Sequence, residues 1–252
     1  MQDAILVSTP LDIKHNLFIS QSPISETEKQ AYKKYTGNIH YLSLVRSLFY
    51  MTQTWPDIQF VVNLIAQFGG NSGVVHLETA KHILCYLKDI INFGLVLERQ
   101  TKGSFDLVGW TDCNWAQDPD DCHSVGGLIF DIARGSISWS SKKKPTVTTS
   151  SVEAEYIASA SAMKEAVWLH TLLEELDFPQ ITATIINADN QGCIALAHNS
   201  VGHSYTKHID IWRHFIWKHI KQEEVVFQYI FTKEMLANIF TKALLHKVFV
   251  KF

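Results

Sequence analysis

The sequence predicts an α/β protein: a mixed sheet covered by helices, preceded by a small, mostly helical module. Three observations predict it. Apolar residues recur at helical spacing through the first hundred positions, the pattern turns to strand alternation near Thr101-Lys102-Gly103, and helices then alternate with strands from about residue 150.

Residues 1 to about 40 are polar and aperiodic, with Pro10, Pro23 and the Lys33-Lys34 pair, and read as loop or a docking strand. Leu44, Leu48 and Met51 predict a helix that Pro56 breaks. Ile58, Val61, Val62 and Ile65 predict a second, closed by Gly69-Gly70, and Leu77, Ala80, Leu84 and Leu87 a third. A short strand is expected over 93–97. The module is therefore placed at residues 1–100 and the sheet domain at 101–252.

Strands are expected over 105–111, 126–132 and 136–139, with Arg134-Gly135 as the tight turn between the last two. Lys142-Lys143-Lys144 and Pro145 read as a loop. A helix follows from about 152 to 176, then a strand (182–188), a helix (191–198), a long helix (about 206–221), a strand (225–230) and a last helix from Glu234. Three antiparallel strands followed by this alternation imply the mixed sheet.

Composition narrows the function classes. A net charge of −3 over 252 residues argues against a freely diffusing, strongly basic nucleic-acid binder, since backbone affinity comes largely from Lys and Arg. Four cysteines (Cys85, Cys113, Cys122, Cys193) fit no disulfide framework and suggest a reducing setting. No signal peptide follows Met1-Gln2-Asp3 and no apolar run is long enough for a bilayer, so an intracellular, non-secreted protein without a membrane partner is expected.

Three acidic residues stand at the junctions of these elements. Asp112 lies in Trp110-Thr111-Asp112-Cys113-Asn114-Trp115 at the end of the first strand, Glu155 on the long helix opened by Ser150, and Asp189 at the end of Ile185-Ile186-Asn187-Ala188. Two strand carboxylates and one from a helix can converge on a hard divalent cation such as Mg²⁺, which takes oxygen ligands. Taken singly, Asp112 also suits a turn or cap, and Asp189 a helix N-cap. Glu153 and Glu155 do not share a face. Ser150-Ser151-Val152-Glu153 fits a capping box, with Glu153 reaching back to the Ser150 amide. Glu155 lines up with Ala158 and Ser159, small residues that let a helix approach a sheet. A carboxylate buried there costs stability unless a cation or a donor meets it.

At these residues the chain resembles the ribonuclease H domain of copia-type long-terminal-repeat retrotransposons. The resemblance is carried by Gly109-Trp110-Thr111-Asp112, Ser138-Trp139-Ser140-Ser141-Lys142-Lys143, and Ser150 through Ala158. It continues in Ala188-Asp189-Asn190-Gln191, Thr206-Lys207-His208-Ile209-Asp210-Ile211 and Ala237-Asn238-Ile239-Phe240-Thr241-Lys242. Six motifs in order over about 140 residues make it specific. Upstream, Ser8-Thr9-Pro10-Leu11, Leu44-Val45-Arg46-Ser47-Leu48 and Pro56-Asp57-Ile58 resemble the end of the family's reverse transcriptase and its connection. The polymerase's paired-aspartate motif is absent, and Asp120-Asp121 sit in a polar loop. The resemblance implies a ribonuclease H-like fold with strand order 3-2-1-4-5. It implies a Pol polyprotein segment that cuts the RNA strand of RNA–DNA hybrids using two Mg²⁺ ions (Mn²⁺ in their place), with the remainder of the reverse transcriptase as partner. Asp112, Glu155 and Asp189 carry over as metal ligands. RNA would be told from DNA by its 2′-hydroxyl.

Two departures stand out. The family has aspartate as its fourth metal-site acid where this chain has Asn238, which brings an oxygen but no charge. It usually has arginine at Trp55, Cys85, Cys122, His123, Trp212 and Trp217, replacements that cytosine deamination at CpG steps would produce. The alternative reading is therefore a decayed, catalytically impaired element that keeps the fold and at most binds nucleic acid or a partner.

Other features admit two readings each. Lys142-Lys143-Lys144 is a phosphate contact or a solvated loop. Trp212, Phe215, Ile216, Trp217 and Ile220 read as core rather than a base-stacking platform. His198, His203, His208, His214 and His219 lack the Cys-x-x-Cys pairing of a structural zinc site, and His208 and Asp210 are expected to hold the long helix against its neighbours.

Overall fold

A computed structural model describes residues 5–97, 105–199 and 207–251, the last stretch with side chains from residue 211. The chain divides into two compact units, Met1–Leu95 with Lys242–Phe252, and Val96–Thr241.

The first unit carries helices α1 (Glu26–Thr36), α2 (Tyr41–Met51), α3 (Gln59–Ala66) and α4 (Val74–Asp89), with a short α8 (His246–Phe249) near the end of the chain. Leu48, Ile58, Val62, Ile65, Leu77, Ala80 and Ile83 are wholly buried and form its core. The expectation of loop or strand before residue 40 missed α1. That helix buries no residue, so apolar periodicity carries no trace of it. Its signal is the start: Ser25 Oγ accepts from the Glu28 amide, and Glu28 accepts from the Ser25 amide at 3.0 Å. The strand expected over 93–97 does not form, and Phe93, Val96 and Leu97 are exposed.

The second unit is a five-stranded sheet in the order β3-β2-β1-β4-β5, where β1 is Leu107–Asn114, β2 Val125–Ile132, β3 Gly135–Lys143, β4 Thr184–Ala188 and β5 Val225–Tyr229. Neighbours β1/β2 and β2/β3 are antiparallel, while β1/β4 and β4/β5 are parallel. This is the mixed sheet that the sequence pattern predicts, in the order 3-2-1-4-5 that the resemblance implies. The β2–β3 turn differs in detail. Ile132 pairs with Gly135, so Ala133 and Arg134 form a two-residue loop, both with positive φ (50° and 62°).

Helix α5 (Ser151–Glu175) covers the sheet, α6 (Gln191–His198) follows β4, and α7 (Lys207–Lys221) precedes β5. Alanines 154, 158, 160, 162 and 166 on α5 are all but fully buried, and this small-residue face brings the helix close to β1 and β2. Phe130, Tyr156, Met163, Ile186, Ile216 and Phe227 fill the core. The last helix expected from Glu234 is instead two 3-10 turns, Thr232–Glu234 and Leu236–Phe240. Four consecutive buried residues, Ala237 to Phe240, leave this segment no solvent-exposed polar face, and it lies on the sheet as a tight turn. Among the described residues no helix is long and apolar enough to cross a membrane.

Candidate metal centre

The central strand β1 delivers Asp112 with only 2% of its surface exposed. Ser150 caps α5 by accepting the Glu153 amide at 3.2 Å, and Glu153 reaches back to the Thr149 amide and hydroxyl (2.8 and 2.7 Å) rather than to the Ser150 amide. The helix thus starts where its second turn sets Glu155, itself 8% exposed, against the sheet. Strand β4 ends at Ala188 and Asp189 follows. The N-cap of α6 is Asn190, whose Oδ1 accepts the Cys193 amide at 2.9 Å, so Asp189 is not consumed in capping. Each of the three carboxylates offers an oxygen, and these oxygens lie within 4.8 Å of one another. The structure brings together all three acids singled out from the sequence.

Two hydroxyls that sequence reasoning passed over orient two of these three carboxylates. Thr232 donates to Asp189 Oδ2 at 2.7 Å, and Thr241 donates to Asp112 Oδ2. Thr241 stood inside a motif noted above but carried no marker beyond its place three residues after Asn238. Asn238 is 3% exposed, its Nδ2 donates to the Thr232 carbonyl at 2.8 Å, and its main-chain carbonyl accepts from Thr241 at 3.2 Å. Its Oδ1 is buried without a hydrogen-bond partner.

The donor set fits a hard divalent cation. Three carboxylates this close, two of them buried, repel one another strongly in the absence of positive charge, and a buried amide oxygen with no donor is a costly acceptor to leave open. Every potential ligand atom is oxygen, the chemistry Mg²⁺ and Mn²⁺ select. The neighbouring thiols do not join it. Burial pushes Cys193 up to about 12 and holds Cys113 well above the usual thiol range, with the Glu155 carboxylate acting in the same direction on both.

The three lysines diverge. Lys142 is exposed. Lys143 lies in β3, not in a loop, and bridges Asp118 (2.6 Å) and Asp121 (2.7 Å). Lys144 is buried, its Nζ 3.1 Å from Ser161 Oγ on α5. Of the aromatic stripe on α7, Ile216 is core and Trp212, Phe215 and Ile220 pack against it, as expected. Trp217 is exposed instead, with the Lys221 ammonium 4.8 Å from its ring centroid. His219 is buried and paired with Glu224, while His203 and the side chains of His208 and Asp210 lie outside the described residues.

A mixed sheet of this order, with a cluster of three carboxylates from β1, α5 and the end of β4, defines an α/β protein with a candidate cation site. No family model matches the chain. It is 36% identical over 219 residues to the retrovirus-related Pol polyprotein from transposon RE1 of Arabidopsis thaliana, covering 87% of this chain and 15% of that protein. It is 37% identical over 248 residues to the corresponding polyprotein from transposon TNT 1-94 of Nicotiana tabacum, covering 96% of this chain and 18% of that protein. Among solved structures, LC11-RNase H1 isolated from compost aligns over 58% of this chain and 97% of its own, at 13% identity and a TM-score of 0.42. The chain belongs to the family of retrovirus-related Pol polyproteins of transposons, and it spans less than a fifth of the length of these two relatives.

Proposed function

We propose that the sheet domain is a ribonuclease H-type endonuclease of a copia-type Pol polyprotein, hydrolysing the RNA strand of RNA–DNA hybrids with two divalent cations. The observation that carries this reading is the convergence of Asp112, Glu155 and Asp189, from three separate elements, to within 4.8 Å. Bound Mg²⁺ or Mn²⁺ would supply an activated water and charge stabilisation for the leaving oxygen. The chain's own residues hold the anionic oxygens: Asp112 fixed by Thr241, Asp189 fixed by Thr232, and Glu155 placed by its helix. Asn238 adds a neutral acceptor at the fourth position. Lys142, exposed near the end of β3, would contact the hybrid's phosphate backbone, and the helical unit would be the docking module for the remainder of the reverse transcriptase. The domain acts inside the cell.

The test is cleavage of a labelled hybrid by the purified chain in Mg²⁺ or Mn²⁺. Cleavage that is lost in EDTA and in Asp112→Asn supports the reading, and cleavage that persists in both overturns it.

The neutral Asn238 favours a second reading, an impaired enzyme. An amide brings no charge to a site whose other three members are acids, and metal affinity follows ligand charge. Absence of cleavage by this chain, together with its appearance in Asn238→Asp, identifies that state. Strong cleavage by the unaltered chain rules it out.

A further inference from the structure

We infer that Asn238 is a positioning residue that braces two of the three carboxylates, Asp112 through its main-chain carbonyl and Asp189 through its side-chain amide, the second a task that aspartate cannot perform at this place. The brace runs both ways from one side chain and its main chain. Nδ2 donates to the Thr232 carbonyl (2.8 Å) and the Thr232 hydroxyl donates to Asp189 (2.7 Å). On the other side the Asn238 carbonyl accepts from the Thr241 hydroxyl (3.2 Å), which also donates to Asp112. Asn238 therefore ties Asp112 on β1 to Asp189 after β4, through one threonine each. The amide orientation is fixed by chemistry: turned over, its oxygen would face the Thr232 carbonyl, acceptor against acceptor. With Nδ2 committed, Oδ1 is the open atom, buried and without a donor. It remains as a neutral acceptor for a cation or for a water held by one.

Aspartate at 238 would replace the donor with a second acceptor against the same carbonyl and add a fourth negative charge. The gain in cation affinity then comes with loss of the amide half of the brace, so Asp189 is held by the cation instead of by the turn. The bracing stands on the hydrogen bonds alone, whereas the role of Oδ1 rests on the metal-hydrolase reading.

The experiment uses the full chain and two readouts that do not depend on turnover: melting temperature in EDTA, and Mn²⁺ affinity by titration calorimetry. Asn238→Ala, which adds no charge, is expected to lower the melting point in EDTA by on the order of 3 °C. Asn238→Asp is expected to lower it further and to regain more than the unaltered protein does when Mn²⁺ is added. Thr232→Val, at an exposed residue, keeps the test open where the buried variants fold poorly. It and Asn238→Ala are each expected to weaken Mn²⁺ roughly tenfold, and the double variant little more than either, since both cut the same tie. Independent, additive losses would overturn the brace, as would an Asn238→Asp protein that melts in EDTA with the unaltered one. If the unaltered chain binds no Mn²⁺, the metal reading fails, while the brace is still decided by whether the EDTA melting losses of Asn238→Ala and Thr232→Val add in the double variant. A merely structural Asn238 would move the melting point and leave the Mn²⁺ affinity unchanged.

Discussion

Gly127 on β2 stands directly across the antiparallel ladder from Asp112 on β1. A Cβ at Gly127 would lie 2.7 Å from Phe240 Cβ, 2.9 Å from Thr241 Cγ2 and 3.0 Å from the Ala237 carbonyl oxygen. The bare backbone at this position lets the Leu236–Phe240 turn lie flat on the sheet. That contact in turn lets Thr241 reach Asp112, 129 residues away in sequence. Gly127→Ala is expected to push the turn outward and cost about 2 kcal/mol, as overpacking does. Chemical denaturation measures the cost. The same variant is expected to lose cation-induced stabilisation out of proportion to its stability, because the threonine is displaced with the turn.

Lys143 ties the loop after β1 to β3 through two carboxylates, and this clasp should loosen in acid. Burial pushes Asp121 up, but hydrogen bonds from Lys143 and His123 outweigh it and bring the carboxyl down to about 2, against an ordinary 3.8. A carboxyl lowered on folding stabilises above its ordinary value, and that contribution is lost as pH falls from 3.8 toward about 2. Asp121 is 41% exposed, so water screens much of its share; Asp118, 7% exposed, is the costlier charge to strand. Lys143→Met is expected to destabilise by about 2 kcal/mol at neutral pH and by less in acid. Melting curves across that pH range check it.

Lys144 behaves oppositely to its neighbour. Its stem crosses β2 at Gly126, where a Cβ would lie 2.6 Å from Lys144 Cε, and burial pulls its ammonium below the ordinary lysine value of 10.5. A base lowered on folding costs stability while it must stay charged, and the cost fades as pH rises toward 10.5. Lys144→Met, which keeps the volume, is expected to hold or raise stability by about 1 kcal/mol at neutral pH, with the advantage shrinking in alkali. Hybrid affinity should be unmoved by Lys144→Met and reduced by Lys142→Ala, with a shallower salt dependence for the latter. Binding titrations at two salt concentrations separate the two lysines.

What the sequence disclosed follows from which forces leave a periodic trace. Strand alternation and the alanine face of α5 both come from burial on one side, so the sheet, its helices and the positions of Asp112, Glu155 and Asp189 were readable. Helix α1 was missed because it buries nothing, and only Ser25 and Glu28 mark its start. The Leu236–Phe240 turn was misread as a helix because a fully buried segment has no polar side to betray its period. The Thr232 and Thr241 hydroxyls were invisible for another reason: a hydrogen bond to a distant carboxylate depends on tertiary placement, and a threonine is unremarkable in composition. Asn190 shows the converse. It, and not Asp189, is the helix cap, and neighbouring cap-competent residues cannot be ranked without the backbone angle between them.

The three-carboxylate cluster should make the metal-free protein less stable than a variant that has lost one acid. At an effective dielectric constant near 20, two unit charges at about 5 Å repel by roughly 3 kcal/mol, and water at the partly exposed Asp189 reduces that for its pairs. Asp112→Asn keeps the shape and retains an oxygen for the Thr241 hydroxyl, while removing one charge. In EDTA it is expected to melt several degrees above the unaltered protein, by about 1–2 kcal/mol. Adding Mg²⁺ or Mn²⁺ should reverse the order. The unaltered protein gains stability with the logarithm of cation concentration, about 2.7 kcal/mol at a hundredfold excess over its dissociation constant, and the variant gains little. A paired melting experiment with and without cation reads both effects. If Asp112→Asn is the less stable protein in EDTA, the acids are held together by protein contacts rather than poised for a cation. In that case the case for a metal centre falls.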